Sequence, residues 1–249
     1  KAKLRLIQAL NCYGVGSLAV LMDGIKQLLD DWPSGKVVVN LSLTFALPQT
    51  EYIQHRAEMK DIPAWETLVP YLERDPRHVS LTALSLQWLF ATLRVRGAVI
   101  VAASGNEGAA GVHPEARMPA ADDLVVGVGA VDEARQVVAY SNLSDKPEWS
   151  GFYTYGGVAT AQGRAAGAAQ GTNIGILGVY TQDLPGAVAN DSGWAYWAGT
   201  SFATPILSAA LAILMSQGDS ASSAEAYLRN ICTKGSTNGD IFEVTQGPH

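Results

Sequence analysis

Apolar positions along the chain follow two patterns. One is a short, nearly continuous run, often β-branched; the other repeats at three- and four-residue intervals. Residues 36–43 (KVVVNLSL), 98–103 (AVIVAA) and 124–130 (LVVGVGA) are of the first kind and predict strands buried on both faces. Residues 3–10 (KLRLIQAL) predict a fourth. Segments 4–10, 37–43, 98–103 and 124–130 are expected to lie side by side as parallel strands. Shorter strands are expected at 137–141 and 174–180. The second pattern begins at Leu18. Leu18, Leu21, Met22, Ile25, Leu28 and Leu29 share one face of a helix over 18–29, with Ser17 as its N-cap. Further helices are expected over 81–96, with Gly97 as the stop, over 201–216 with residues 194–198 leading in, and over 221–232. Strands alternating with helices imply a three-layer α/β architecture, a mostly parallel sheet flanked by helices.

Two stretches break the alternation. Residues 46–80 carry Pro48, Pro63, Pro70 and Pro76, mixed charges and two of the four histidines. They read as a surface insertion in a single domain spanning 1–249, so deleting 47–77 is expected to leave the fold intact. Residues 151–172 are rich in Gly and Ala and are expected to form loops.

Composition narrows the function classes. The chain has 249 residues, 48% hydrophobic and 16% charged, enough apolar surface for a sizeable core. Its net charge of -6 comes without a basic block, which argues against nucleic acid or an anionic membrane as partner. No apolar run approaches the roughly 18 residues of a membrane span. Cys12 and Cys232 lie far apart without metal-ligand spacing and are expected to be free buried thiols. The chain starts at Lys1 with no signal peptide, and is expected to be a fragment or a processed product.

Two segments carry chemistry. In Gly199-Thr200-Ser201-Phe202-Ala203-Thr204-Pro205, the proline belongs in the first turn of a helix, which puts Ser201 at or just before its start. A hydroxyl there stands near free N–H groups and the positive end of the helix dipole. Ser201 reads either as a nucleophile or as a helix cap. The strand over 98–103 ends in Ser104-Gly105-Asn106-Glu107-Gly108, at the carboxyl edge where open α/β sheets place their sites. Asn106 reads either as an amide donor to an oxyanion or as a turn residue.

Together these segments resemble the subtilase family of serine proteases. The family's Gly-Thr-Ser-x-Ala-x-Pro element matches at Gly199, Thr200, Ser201, Ala203 and Pro205. Its Ala-Ala-x-Gly-Asn-Glu-Gly element matches at Ala102, Ala103, Gly105, Asn106, Glu107 and Gly108. Met118-Pro119-Ala120, Val126-Gly127-Val128-Gly129-Ala130-Val131-Asp132 and Asn40-Leu41-Ser42-Leu43 resemble three further stretches, all five in the family's order. The resemblance implies a subtilisin-like fold whose amino-terminal part is missing, with one region of the sheet or pocket wall left exposed. It implies a serine endopeptidase in which Ser201 forms an acyl-enzyme, while Asn106 and the Ser201 N–H hold the oxyanion. The substrate is an extended polypeptide lying between Gly14-Val15-Gly16 and Ser42-Leu43-Thr44. Ala103, Ser104 and Gly105 line the first specificity pocket beside Thr200. The family favours a secreted location and binds calcium through backbone carbonyls, although no cofactor is evident in the residues themselves.

Departures from the family pattern carry weight. Thr44-Phe45 stand where relatives have Gly, which narrows the pocket rim, and Ile206-Leu207 replace His-Val. The family's Asp and His precede the segment at residue 3. No His-Gly-Thr occurs, and His55, His78, His113 and His249 read as loop residues. The implied partner is therefore a missing amino-terminal segment bearing both groups, without which this chain is expected to be inert. Two alternatives stay open: a non-catalytic subtilase-like module that binds peptides, and an α/β-hydrolase esterase, whose Gly-x-Ser-x-Gly is broken by Ala203.

Overall fold

In chain order the elements are α1 (Leu18–Asp30), β1 (Val38–Leu41), α2 (Leu81–Val95), β2 (Val99–Ala103), β3 (Val126–Val131), β4 (Phe152–Tyr155), β5 (Ile176–Val179), β6 (Trp194–Trp197), α3 (Thr200–Ser216), α4 (Ala221–Ile231), β7 (Thr233–Lys234) and β8 (Asp240–Ile241). The computed structural model describes residues 2–11, 14–45, 81–108, 118–142, 151–158, 175–183, 189–234 and 240–242. A six-stranded sheet runs in the order β1-β2-β3-β4-β8-β7, parallel except for the β7–β8 pair. β5 and β6 form a separate antiparallel pair.

The alternation of side chains along a strand sorts β2 between two apolar layers. Ile100 and Ala102 face Leu21, Ile25 and Leu28 of α1 and Leu86, Phe90 and Leu93 of α2. Val99 and Val101 face the other way, against Ala203, Leu207, Leu211 and Met215 of α3 and Ala224 and Leu228 of α4. The result is the three-layer α/β arrangement expected from the run pattern. Leu207 has no exposed surface. Leu207→Ala should therefore lower stability by about 2–5 kcal/mol, read as a fall in the denaturant midpoint with an unchanged slope. Ser17 and Ser220 start α1 and α4 by accepting from the N–H groups of Val20 and Ser223 at 3.3 and 3.1 Å. No helix among the described residues is long and apolar enough to cross a membrane.

Several expectations are corrected. Residues 4–10 form no strand. Leu4 and Leu6 are 82% and 85% exposed, while Ile7 and Ala9 pack on the α1–α2 layer and Arg5 binds the carbonyl and carboxylate of Asp31. Strand-like composition needs a ladder partner, and among the described residues 2–10 have none, so β1 stands at the sheet edge. The Gly- and Ala-rich stretch contains a buried strand, β4, because Phe152-Tyr153-Thr154 sit between β3 and β8. Residues 194–198 are largely strand β6. The strand expected at 137–141 reduces to one bridge between Val131 and Val137. Cys232 is in no disulfide and is half-buried, not fully buried as expected. Cys12, the insertion 46–80 and all four histidines lie outside the described residues.

Candidate active site

The carboxyl ends of β1 and β2 and the start of α3 meet at one place because α3 packs across β1, β2, β3 and β4. The turn into α3 depends on Gly199. Its φ of 149° lies where side chains are strained, and a Cβ there would sit 3.3 Å from Asn106 Nδ2. The helix begins at Thr200, so Ser201 lies within its first turn and Pro205 in the second, one turn later than expected. A proline there withholds the N–H that the Ser201 carbonyl would receive. The Ser42 hydroxyl, just beyond β1, donates to that carbonyl instead at 2.8 Å. The Ser201 Oγ donates back to the Ser42 carbonyl at 3.3 Å.

Asn106 stands beyond β2 and faces the same helix start. Its Oδ1 accepts from the Thr200 N–H at 2.9 Å and the Thr200 hydroxyl at 3.0 Å. The Thr200 oxygen in turn accepts from the Gly105 N–H at 3.2 Å. With Oδ1 so engaged, the amide Nδ2 is left as a donor at the protein surface. The Ser201 N–H, in the first turn, has no acceptor four residues back. Two donors of different origin, one side chain and one backbone, thus flank a half-buried hydroxyl.

A buried framework fixes the Asn106 loop. Ser104 donates through its N–H to the Val128 carbonyl at 2.9 Å and through its hydroxyl to the Asn142 carbonyl at 3.1 Å. Asn142 bridges the loop twice, accepting from the Glu107 N–H at 3.0 Å and donating to the Glu107 carboxylate at 2.7 Å. Gly105, at φ 110°, could carry no side chain: a Cβ would fall 2.5 Å from both Asn142 Nδ2 and Glu107 Oε2. Tyr140 secures the other flank, donating to the carbonyls of Gly156 and Gly157 at 2.7 and 2.8 Å. The Gly156 carbonyl also accepts from the Gly199 N–H at 2.9 Å. Sequence reasoning missed Asn142, Tyr140 and Gly156, each of which reaches the site from a distant segment.

Burial pushes the Tyr140 hydroxyl well above its ordinary pKa of 10.0. A raised phenol pKa favours the neutral form in the folded state. The stability this contributes is complete below about pH 10 and is lost as pH rises further. Unfolding followed against pH should show that alkaline loss, and Tyr140→Phe should flatten it relative to the parent.

The residues expected to bind substrate are distributed unevenly. Ser42, Leu43 and Thr44 are half-buried beyond β1, with Ser42 touching Ser201. Ala103 and Ser104 are each 1% exposed, and Gly105 is buried beside Thr200. Gly14, Val15 and Gly16 precede α1. Val15 exchanges hydrogen bonds with Asn11 through its carbonyl and N–H, and Gly14 donates to the Asn11 carbonyl. None of these bonds reaches Ser201 or Asn106. No base stands beside Ser201 Oγ among the described residues; its acceptor is the Ser42 carbonyl. No group of three or more His, Cys, Asp or Glu side chains gathers among the described residues.

Comparison with known proteins places this geometry. No curated protein matches the chain. The solved structure of the prenylagaramide maturation protease PagA superposes with a TM-score of 0.55 at 20% identity, over 88% of this chain and 58% of that one. A cold-adapted subtilisin-like serine proteinase superposes with a TM-score of 0.57 at 15% identity, over 96% of this chain and 66% of that one. The chain thus spans less than two thirds of the length of either structure, and at these identities they speak for the fold. A model described as "Subtilase family" matches residues 2–246, nearly the whole length. The chain belongs to the subtilase family.

Proposed function

We propose that this chain is the nucleophile- and oxyanion-bearing part of a serine endopeptidase. The observation that carries the proposal is the pair of donors around Ser201. Asn106 Nδ2 is left free because Thr200 occupies Oδ1, and the Ser201 N–H is left free by its place at the helix start. Both suit an oxygen that becomes negative when a carbonyl turns tetrahedral. In this reading Ser201 Oγ attacks the scissile carbonyl carbon while its proton passes to a histidine. The amine then leaves with that proton, and water releases the acyl group by the reverse steps. The histidine and its carboxylate partner come from a segment outside this chain. The Ser42-Leu43-Thr44 main chain, past the end of β1, is placed to bind an extended peptide by strand addition.

One observation favours a second reading, a peptide-binding module without catalysis: Ser201 Oγ rests on a carbonyl, which cannot take its proton. The test is to treat the protein that contains this chain with a serine-directed phosphonate and a peptide substrate. Covalent labelling at Ser201 together with turnover supports the protease. Peptide binding without either supports the module.

A further inference from the structure

We infer that Ser42 is a positioning residue for the nucleophile, acting through the main-chain carbonyl of Ser201; this rests on the protease reading above. In an α-helix the carbonyl of residue 201 takes the N–H of residue 205. Pro205 has none, so the carbonyl of the nucleophile itself loses its donor within α3. The Ser42 hydroxyl replaces the lost donor at 2.8 Å, and the Ser201 hydroxyl reaches back to the Ser42 carbonyl at 3.3 Å. Side chain and main chain of the two serines are thus crossed, 159 residues apart in sequence. The neighbouring carbonyls of α3 are held in related ways: Thr204 Oγ1 donates to the Thr200 carbonyl at 2.7 Å and Thr154 Oγ1 to the Ala203 carbonyl at 2.9 Å. What distinguishes residue 201 is that its side-chain bond substitutes for a missing helical one.

The consequence is mechanical. The orientation of the Ser201 peptide units sets where Oγ points and where the N–H donor of the oxyanion site is aimed. A helix start with an unanchored carbonyl has freedom that an attacking group does not tolerate, since misplacement by about an ångström can cost about a hundredfold in rate. Pro205 loosens the helix at the nucleophile, and Ser42 ties it to the end of β1. Ser42 also sits where the peptide is to bind, so substrate entering along 42–44 meets the group that holds the nucleophile in place.

The prediction is a pairwise one. In the full-length protein Ser42→Ala should lower kcat by about tenfold with KM changed far less, because the main chain at 42 is retained. Ser42→Thr, which keeps a hydroxyl, should restore most of it. Pro205 is exposed, so Pro205→Ala removes little packing and returns an N–H to the Ser201 carbonyl. Placed on Ser42→Ala, it should recover most of the lost turnover. Unchanged turnover in Ser42→Ala, or a double variant no better than Ser42→Ala, overturns the inference. The unfolding temperatures of the parent, the two single alanine variants and the double variant read the contact without catalysis. Ser42→Ala should lower the unfolding temperature more when made in the parent than when made on top of Pro205→Ala. That coupling in a protein that turns over no peptide would sink the protease reading and leave the contact standing. Turnover with no coupling in either measurement sinks the contact alone.

Discussion

Ser201→Ala in the full-length protein should abolish peptide turnover, with a fall in kcat of about a millionfold, the magnitude seen when a subtilisin loses its serine. In the proposed mechanism the Ser201 hydroxyl is the group that forms the acyl bond. The donors around it, Asn106 Nδ2 and the Ser201 N–H, survive the substitution, so peptide should still bind. The same chemistry predicts that the chain of 249 residues is inert by itself. A serine hydroxyl is a poor nucleophile until a base takes its proton, and Ser201 Oγ rests on the Ser42 carbonyl, which accepts a hydrogen bond and not a proton. On the proposed reading, supplying a segment that bears the catalytic Asp and His should restore turnover. Residual catalysis from binding and oxyanion stabilisation alone, about a thousand- to ten-thousandfold over water, sets the ceiling for the isolated chain. The measurement is peptide hydrolysis by the isolated chain, the completed protein and its Ser201→Ala variant. If the isolated chain matches the completed protein, then one of His55, His78, His113 or His249 is the base. If the completed Ser201→Ala variant keeps its activity, the nucleophile is elsewhere.

How much of this was legible beforehand follows from how local each feature is. The start of α3 was readable to within a residue because Gly199 and Ser201 lie together and the glycine admits the turn, although Pro205 falls one turn later than the first-turn preference predicts. The core strands were readable because residues 98–103 are apolar without a break and 124–130 are interrupted only by Gly127 and Gly129, as suits strands covered on both faces. β4 was not, since Phe152–Tyr155 is four residues long and flanked by Gly151, Gly156 and Gly157, whose composition reads as loop. Residues 4–10 misled for the opposite reason: their composition suits a strand, but pairing is a tertiary property. The supporting bonds were beyond reach in principle. Tyr140 reaches Gly156, Asn142 reaches Glu107, and Ser42 reaches Ser201, contacts that no periodicity encodes. Asn106 lay between: its motif was visible, but its use of Oδ1 on Thr200 was not.

That use of Oδ1 decides what Asn106→Ala should do. The substitution removes Nδ2 and leaves the Ser201 N–H as the remaining donor to the oxyanion. Removal of one such donor costs about a hundred- to a thousandfold in kcat, a magnitude measured on a subtilisin and carried over here through family membership. KM should move little, because a planar substrate carbonyl places its oxygen short of the position where the tetrahedral oxyanion meets the amide. A structural role alone predicts something else. Asn106 also accepts from the Thr200 N–H and hydroxyl, and losing that acceptor would loosen the helix start. Thr200 is buried, so its N–H and hydroxyl lose their acceptor in Asn106→Ala and the unfolding temperature should fall. Asn106→Asp separates the two roles: it keeps an acceptor for Thr200 but replaces the amide donor with a negative oxygen facing the developing charge. Asn106→Asp should therefore be at least as slow as Asn106→Ala while unfolding close to the parent temperature. Steady-state kinetics on the completed protein, paired with thermal unfolding, make the comparison. An Asp variant that turns over nearly as well as the parent would show that Asn106 serves the turn and that the oxyanion is held by other groups.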